Sequence, residues 1–69
     1  MRGRIVKIQE EGRFLTVTSD AGQTLALRIS NASDIEGVAD RSYFKVGMSF
    51  TALYEEGKDR NEVLEFKVE

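Results

Sequence analysis

Apolar and polar residues alternate along short stretches of this chain, and no other feature constrains its fold as strongly. Alternation with a period of two places successive side chains on opposite faces of a β-strand. In residues 24–30, Leu25, Leu27 and Ile29 fall on one face. The stretches 14–18 and 63–68 alternate in the same way, with Leu64, Phe66 and Val68 on one side of the second. The pattern therefore predicts an all-β protein.

Turn-forming residues separate five predicted strands, which are residues 3–8, 14–18, 24–30, 48–54 and 63–68. The apolar residues Ile5, Val6 and Ile8 break strict alternation in the first strand and predict a bulge near Val6. A short loop at residues 20–22 makes a hairpin of the second and third strands. In that hairpin Val17 lies opposite Leu25, Leu15 opposite Leu27, and Phe14 opposite Arg28.

Residues 31–46 do not alternate. Ser33 and Glu36 have the spacing of a capping box, which predicts the start of a short helix, and Gly37 limits its length. Tyr43, Phe44 and Val46 are apolar residues that can pack this excursion against one end of a sheet.

The order of elements predicts a single domain, residues 1–69, folded as a five-stranded closed barrel of the oligonucleotide/oligosaccharide-binding (OB) type. A short helical or irregular excursion separates its third and fourth strands. An SH3-like barrel is the main structural alternative. The shared phase of the apolar residues predicts one core, made of Leu15, Val17, Leu25, Leu27, Ile29, Phe50, Leu64 and Phe66.

The residue types argue against catalysis. The chain has no cysteine and no histidine, so thiol chemistry, a Ser-His-Asp triad and a zinc site built from Cys or His are excluded. Neighbouring carboxylates such as Glu10 and Glu11 point to opposite faces of a strand, and neither a calcium loop nor a nucleotide phosphate loop is present. The chain is predicted to be a non-enzyme without metal or cofactor.

No apolar stretch approaches the roughly 18 residues of a membrane helix, and no apolar signal core follows the basic start of the chain. We therefore expect a cytoplasmic protein with no membrane partner, either a monomer or a small homo-oligomer.

Charge is distributed unevenly. Residues 1–30 carry five basic side chains against three acidic ones, whereas residues 31–69 carry five against nine. The imbalance suits a basic face for a polyanion and an acidic face elsewhere, although solvated strand edges also explain it. The net charge of −2 argues mildly against a dedicated nucleic-acid binder.

Two groups of small barrels resemble this chain. Gly12-Arg13-Phe14, Asp20-Ala21-Gly22, Arg28-Ile29-Ser30 and Lys45-Val46-Gly47 resemble the RNA-binding repeats of the largest small-subunit ribosomal protein, and bacterial translation initiation factor one has a similar layout. This resemblance implies RNA binding. The chain departs from it at Arg28, where relatives carry histidine, and at Glu11, where many repeats carry an aromatic residue.

The second resemblance is about equally good. Leu15-Thr16-Val17, Ile29, Asp34-Ile35-Glu36-Gly37 and Val46-Gly47 are similar to small bacterial barrels of unknown function, which are related to the periplasmic copper- and silver-carrier barrel. That carrier holds metal with His, Met and Trp. This chain has neither His nor Trp, and Met48 is its one internal Met, so the metal role does not carry over.

The candidate ligand site lies on the second and third strands. Phe14 and Arg28 are predicted to face outward together, where an aromatic ring can stack on a base and a guanidinium can bind phosphate. Arg13 and Lys7 can add phosphate contacts. The predicted function is a small non-catalytic binding module that binds single-stranded nucleic acid, RNA before DNA, weakly through its second and third strands. Alternatively, Phe14 belongs to the core or to an isolated pair with Arg28, and the domain is a protein-interaction or structural module.

Overall fold

The computed structural model describes residues 1–69, which form six strands and two single-turn 3₁₀ helices. The strands are β1 (Arg2–Gln9), β2 (Phe14–Ser19), β3 (Thr24–Arg28), β4 (Asp34–Glu36), β5 (Ser49–Glu56) and β6 (Asn61–Val68). The first 3₁₀ turn, Glu10–Gly12, joins β1 to β2, and the second, Arg41–Tyr43, lies between β4 and β5. No helix is long and apolar enough to cross a membrane.

A parallel pairing closes the barrel. The strand order is β3-β2-β1-β5-β6-β4, and β3 also pairs with β6, with Leu27 beside Asn61 and Arg28 beside Glu62. Because this pairing joins the third long strand to the last one, β1, β2, β3, β5 and β6 form a closed ring. The three-residue β4 is an additional strand that runs parallel to β6. The predicted all-β, five-stranded barrel of the OB type is therefore confirmed, with one extra strand.

The predicted register of the β2–β3 hairpin and the predicted bulge near Val6 are both confirmed. Phe14 pairs with Arg28, Leu15 with Leu27 and Val17 with Leu25. The register between β1 and β2 shifts between Ile5 and Lys7, so Val6 is the bulged residue. A bulge bends its strand and increases the local twist, which helps the sheet to curve into a closed barrel.

The helix predicted at Ser33 is wrong. Residues Asp34–Glu36 form β4 instead, and Ser33 does not cap a helix. Its hydroxyl donates to the carbonyl of Val63 at 2.6 Å and accepts from the backbone N–H of Ser30 at 3.0 Å. The Ser33 side chain thus fixes a tight turn against β6, and the backbone of the next three residues pairs with β6.

Ten buried apolar residues form the core: Ile5, Leu15, Val17, Leu27, Ile29, Phe44, Phe50, Ala52, Val63 and Phe66. The ring of Phe66 stacks on that of Phe50 at a centroid distance of 4.5 Å. Six of the eight predicted core residues are buried. Leu25 is only half-buried at the edge of the core.

Leu64 was expected in the core, but it is 39% exposed, and Val63 takes the buried position at 2% exposure. The reason is a second bulge. Leu53 pairs with Glu65 and Tyr54 with Val63, so Leu64 has no partner on β5 and the phase of β6 changes at this point.

In the excursion between β4 and β5, Phe44 is the one predicted anchor that lies in the core, because Tyr43 and Val46 are exposed.

Candidate functional site

A cleft of about 610 Å³ opens on the outside of the barrel, where the first 3₁₀ turn meets the end of β3. It is lined by Glu10, Arg13, Phe14, Arg28, Ile29, Ser30, Asn31, Ala32, Arg41 and Arg60. We call it the arginine cleft, because four arginines and one carboxylate are its charged residues.

Strand pairing places Phe14 and Arg28 in this cleft. They lie directly opposite each other on β2 and β3, with side chains on the outer face, since their neighbours Leu15 and Leu27 point into the core. Phe14 is half-buried and does not belong to the core cluster. Arg28 directs its guanidinium to the carboxylate of Glu62 on β6, at 2.9 Å.

The turn between β1 and β2 brings Arg13 to the same place. The carbonyl of Arg13 accepts a hydrogen bond from the backbone N–H of Ile29 at 2.7 Å, which ties the turn to the end of β3. Glu10 and Glu11 have positive φ angles of 50° and 59°, which non-glycine residues adopt at a cost of about 1–3 kcal/mol. This tight backbone reversal is what directs Glu10 and Arg13 into the cleft.

The second 3₁₀ turn supplies Arg41. A carboxylate oxygen of Asp40 accepts hydrogen bonds from both the backbone N–H and the hydroxyl of Ser42, and so caps the turn. The hydrogen bond from the Ser42 hydroxyl is the main cause that lowers the pKa of Asp40, with the backbone N–H of Ser42 next. The capped turn packs against Gly12, where an added Cβ would lie 2.6 Å from the carbonyl oxygen of Arg41.

Of the four predicted site residues, the structure brings Arg13, Phe14 and Arg28 together. Lys7 does not line the cleft; it is exposed on the same outer face, opposite Thr16. Sequence reasoning missed Arg41 and Arg60, which reach the cleft from the excursion and from the last hairpin loop. No local signal marked them, since each follows an aspartate, Asp40 or Asp59, that balances its charge in the sequence.

The surface has two further hollows, one next to the arginine cleft and one elsewhere on the barrel. One of about 500 Å³ shares Ser30, Asn31 and Arg41 with the cleft and adds Ser33, Ser42 and two carboxylates, those of Glu11 and Asp40. The other, of about 620 Å³, lies across β4, β5 and β6, and its charged side chains are Asp34, Glu36, Glu65 and Lys67. The arginine cleft and the hollow across β4, β5 and β6 thus have nearly equal volumes and opposite charge. We call the second of them the acidic recess.

The fold is that of a known small barrel. A copper(II) form of a tryptophan-to-alanine variant of CusF from Escherichia coli superimposes with a TM-score of 0.78 at 16% sequence identity, covering 99% of this chain and 86% of that one. A silver(I) form of CusF superimposes with a TM-score of 0.71, also at 16% identity, covering 99% and 92%. No protein-family model matches the chain, and no curated protein matches its sequence.

This similarity favours the second of the two resemblances, to the copper-carrier barrel, over the ribosomal and initiation-factor group. At 16% identity it establishes the fold alone. The donor set here does not fit silver(I), which prefers soft thiolate and thioether ligands, or copper, for which imidazole and thiolate are the usual ligands. Met1 and Met48 hold the only sulfur atoms, and no group of three His, Cys, Asp or Glu residues converges on one point.

Proposed function

We propose that the protein is a non-catalytic binding module and that its arginine cleft binds single-stranded RNA. The observation that carries the proposal is the placement of Phe14 and four arginines around one cleft. OB barrels bind oligonucleotides on the face of their second and third strands, between the first turn and the last hairpin loop. Phe14 and Arg28 come from that face, Arg13 from the first turn and Arg60 from the last hairpin.

Each part of the cleft has a matching part in a nucleotide chain. The half-buried ring of Phe14 offers a stacking surface for one base, a contact worth about 1–3 kcal/mol. Guanidinium groups bind phosphate through charge-assisted hydrogen bonds. Ser30 and Asn31, which line both the cleft and the adjoining hollow, offer neutral donors and acceptors to sugar or base edges.

An amide side chain at the edge of the cleft favours RNA over DNA. Asn31 lines both the cleft and the adjoining hollow, and its exposed amide can donate and accept hydrogen bonds. A 2′-hydroxyl both donates and accepts hydrogen bonds, and it is the group by which proteins distinguish the two nucleic acids.

Binding by this site is weak and salt-dependent. Four arginines contact few phosphates, and the net charge of −2 repels a polyanion outside the cleft. Each neutralised phosphate changes the slope of log affinity against log salt by about −0.7 for a single strand. The similar CusF structures are copper and silver forms, so the case for RNA rests on the geometry of the cleft alone.

A protein partner is the second candidate, and a separate observation favours it. Val6 and Val46 are apolar side chains that remain exposed. Backbone hydrogen bonds join Ile5 to Gly47 and Met48, which places the Val6 bulge beside the Val46 loop. Contiguous exposed apolar surface marks protein–protein interfaces. Val6 and Val46 do not line the arginine cleft, so the two candidates can be tested separately.

The test is the affinity for a short fluorescent single-stranded RNA at 50 mM salt, with DNA of the same sequence for comparison. Phe14→Ala is expected to weaken binding about 5- to 150-fold, the stacking range, and to leave the fold intact. Arg41→Ala is expected to weaken it and to make the salt slope shallower by about 0.7. The control, Lys67→Ala, removes an exposed cation outside the cleft. Equal losses in Lys67→Ala and Arg41→Ala, or no binding by the wild type, would contradict the proposal.

A further inference from the structure

One row of side chains crosses five strands on the outside of the barrel at the level of the cleft. Gln9 pairs with Phe14, Phe14 with Arg28, Arg28 with Glu62, and Glu62 with Glu55. Paired residues lie on the same face, so the row runs from a neutral end, through an aromatic ring and a cation, to two adjacent carboxylates. The face that carries Phe14 and Arg28 is therefore bordered by the carboxylates of β6 and β5.

Arg28 differs from the other arginines of the cleft. Its guanidinium forms an ion pair with Glu62 at 2.9 Å, and the side chains are 39% and 37% exposed. The only other ion pair in the protein joins Arg2 to Glu69, so Arg13, Arg41 and Arg60 form no ion pair. The arginine next to the Phe14 ring is thus the one cleft arginine that is held in an ion pair.

We infer that Glu62 is a specificity-determining residue that lowers the affinity of the arginine cleft for polyanions by competing for Arg28. The inference rests on the proposed function and concerns the same site. A phosphate that approaches Arg28 must displace the Glu62 carboxylate or share the guanidinium with it, and in both cases it meets a like charge. Glu55, directly opposite Glu62, extends the negative wall and directs the strand toward Arg13 and Arg41 instead.

The substitution Glu62→Gln separates competition from positioning. The amide oxygen of glutamine can still accept a hydrogen bond from Arg28, so the side chain stays in place while the negative charge is removed. The change also relieves the like-charge contact with Glu55, which offsets the lost ion pair in the stability of the barrel. A positioning role for Glu62 would leave affinity unchanged in Glu62→Gln and lower it in Glu62→Ala.

The experiment titrates wild type, Glu62→Gln and the control Glu65→Gln with a short single-stranded RNA and, separately, with inorganic tripolyphosphate. Glu65 is on the same strand, is exposed and lines the acidic recess, so its substitution makes the same change in net charge elsewhere. Glu62→Gln is expected to bind both anions about two- to fivefold more tightly than the control, the range that exposed charge pairs support. The gain should shrink as salt is raised.

The outcomes separate this inference from the proposed function. If tripolyphosphate binds Glu62→Gln more tightly but RNA binds no variant, the RNA proposal fails and the competition stands. If Glu62→Gln and Glu65→Gln match for both anions, the competition is refuted whatever the wild type binds. In an Arg28→Ala background the gain from Glu62→Gln should disappear, and its full persistence would show that Glu62 does not act through Arg28.

Discussion

Substituting Gly12 with alanine tests how the cleft is assembled. Gly12 has a φ of +91°, and an added Cβ would lie 2.6 Å from the carbonyl oxygen of Arg41. Gly22 has a φ of +88°, yet a Cβ there would meet no atom within 4 Å. Both alanine variants place a side chain in left-handed backbone, which costs about 1–2 kcal/mol. Only Gly12→Ala also pushes one backbone segment away from another.

That second effect sets the expected difference. Overpacking a tightly packed contact costs about 1–3 kcal/mol, so Gly12→Ala should lose about 2–5 kcal/mol in total and Gly22→Ala about 1–2. The free energies of unfolding come from urea denaturation, with equal m values as evidence that both variants unfold in the same way. Because the second 3₁₀ turn must shift, Gly12→Ala should also weaken RNA binding through Arg41. Equal losses of stability in the two variants would refute the close approach of the turns.

Two further predictions concern β6 and the end of the chain. Val63→Ala should cost about 1–3 kcal/mol of unfolding free energy, because the bulge puts Val63 in the core. Leu64→Ala should change the unfolding free energy by no more than about 0.5 kcal/mol. A lower urea midpoint for Leu64→Ala than for Val63→Ala would contradict the position of the bulge. Hydrogen bonds from Thr51 at 2.9 Å and Arg2 at 3.2 Å lower the pKa of Glu69. A lowered carboxyl pKa gives stability that is present above the ordinary value and is lost as pH falls through the lowered one. Thr51→Val should raise the pKa of Glu69 in an NMR titration, and an unchanged pKa would show that the Thr51 hydroxyl is not the main cause.

The barrel and its β2–β3 register could be predicted from the sequence, because period-two alternation and a short loop leave few pairings. The phase of β6 could not. Val63 and Leu64 are adjacent apolar residues, and only the pairing of β6 with β5 shows which of them faces the core. At Ser33 the local signal was misleading, since a hydroxyl suited to a helix cap is equally able to hold a turn against a carbonyl of β6.

The residues of the candidate site likewise include some that the sequence predicts and some that it does not. Phe14 and Arg28 could be paired because both belong to one local hairpin. Arg41 and Arg60 could not be added, because only barrel closure and the packing of the second 3₁₀ turn on Gly12 bring them to the cleft. The ion pair of Arg28 with Glu62 depends on the parallel β3–β6 pairing, which joins residues 34 positions apart. Contacts of that kind follow from topology rather than from local pattern.

An amide NMR titration with a short single-stranded RNA at 50 mM salt tests the central claim most directly, because it reports which surface is contacted. We predict shifts confined to the arginine cleft, at Phe14, Arg28, residues 30–32, Arg41 and Arg60. The backbone amides of Lys67 and Glu36 in the acidic recess should not move. Absence of shifts, or shifts centred on Val6 and Val46, would contradict the assignment of the arginine cleft as an RNA site.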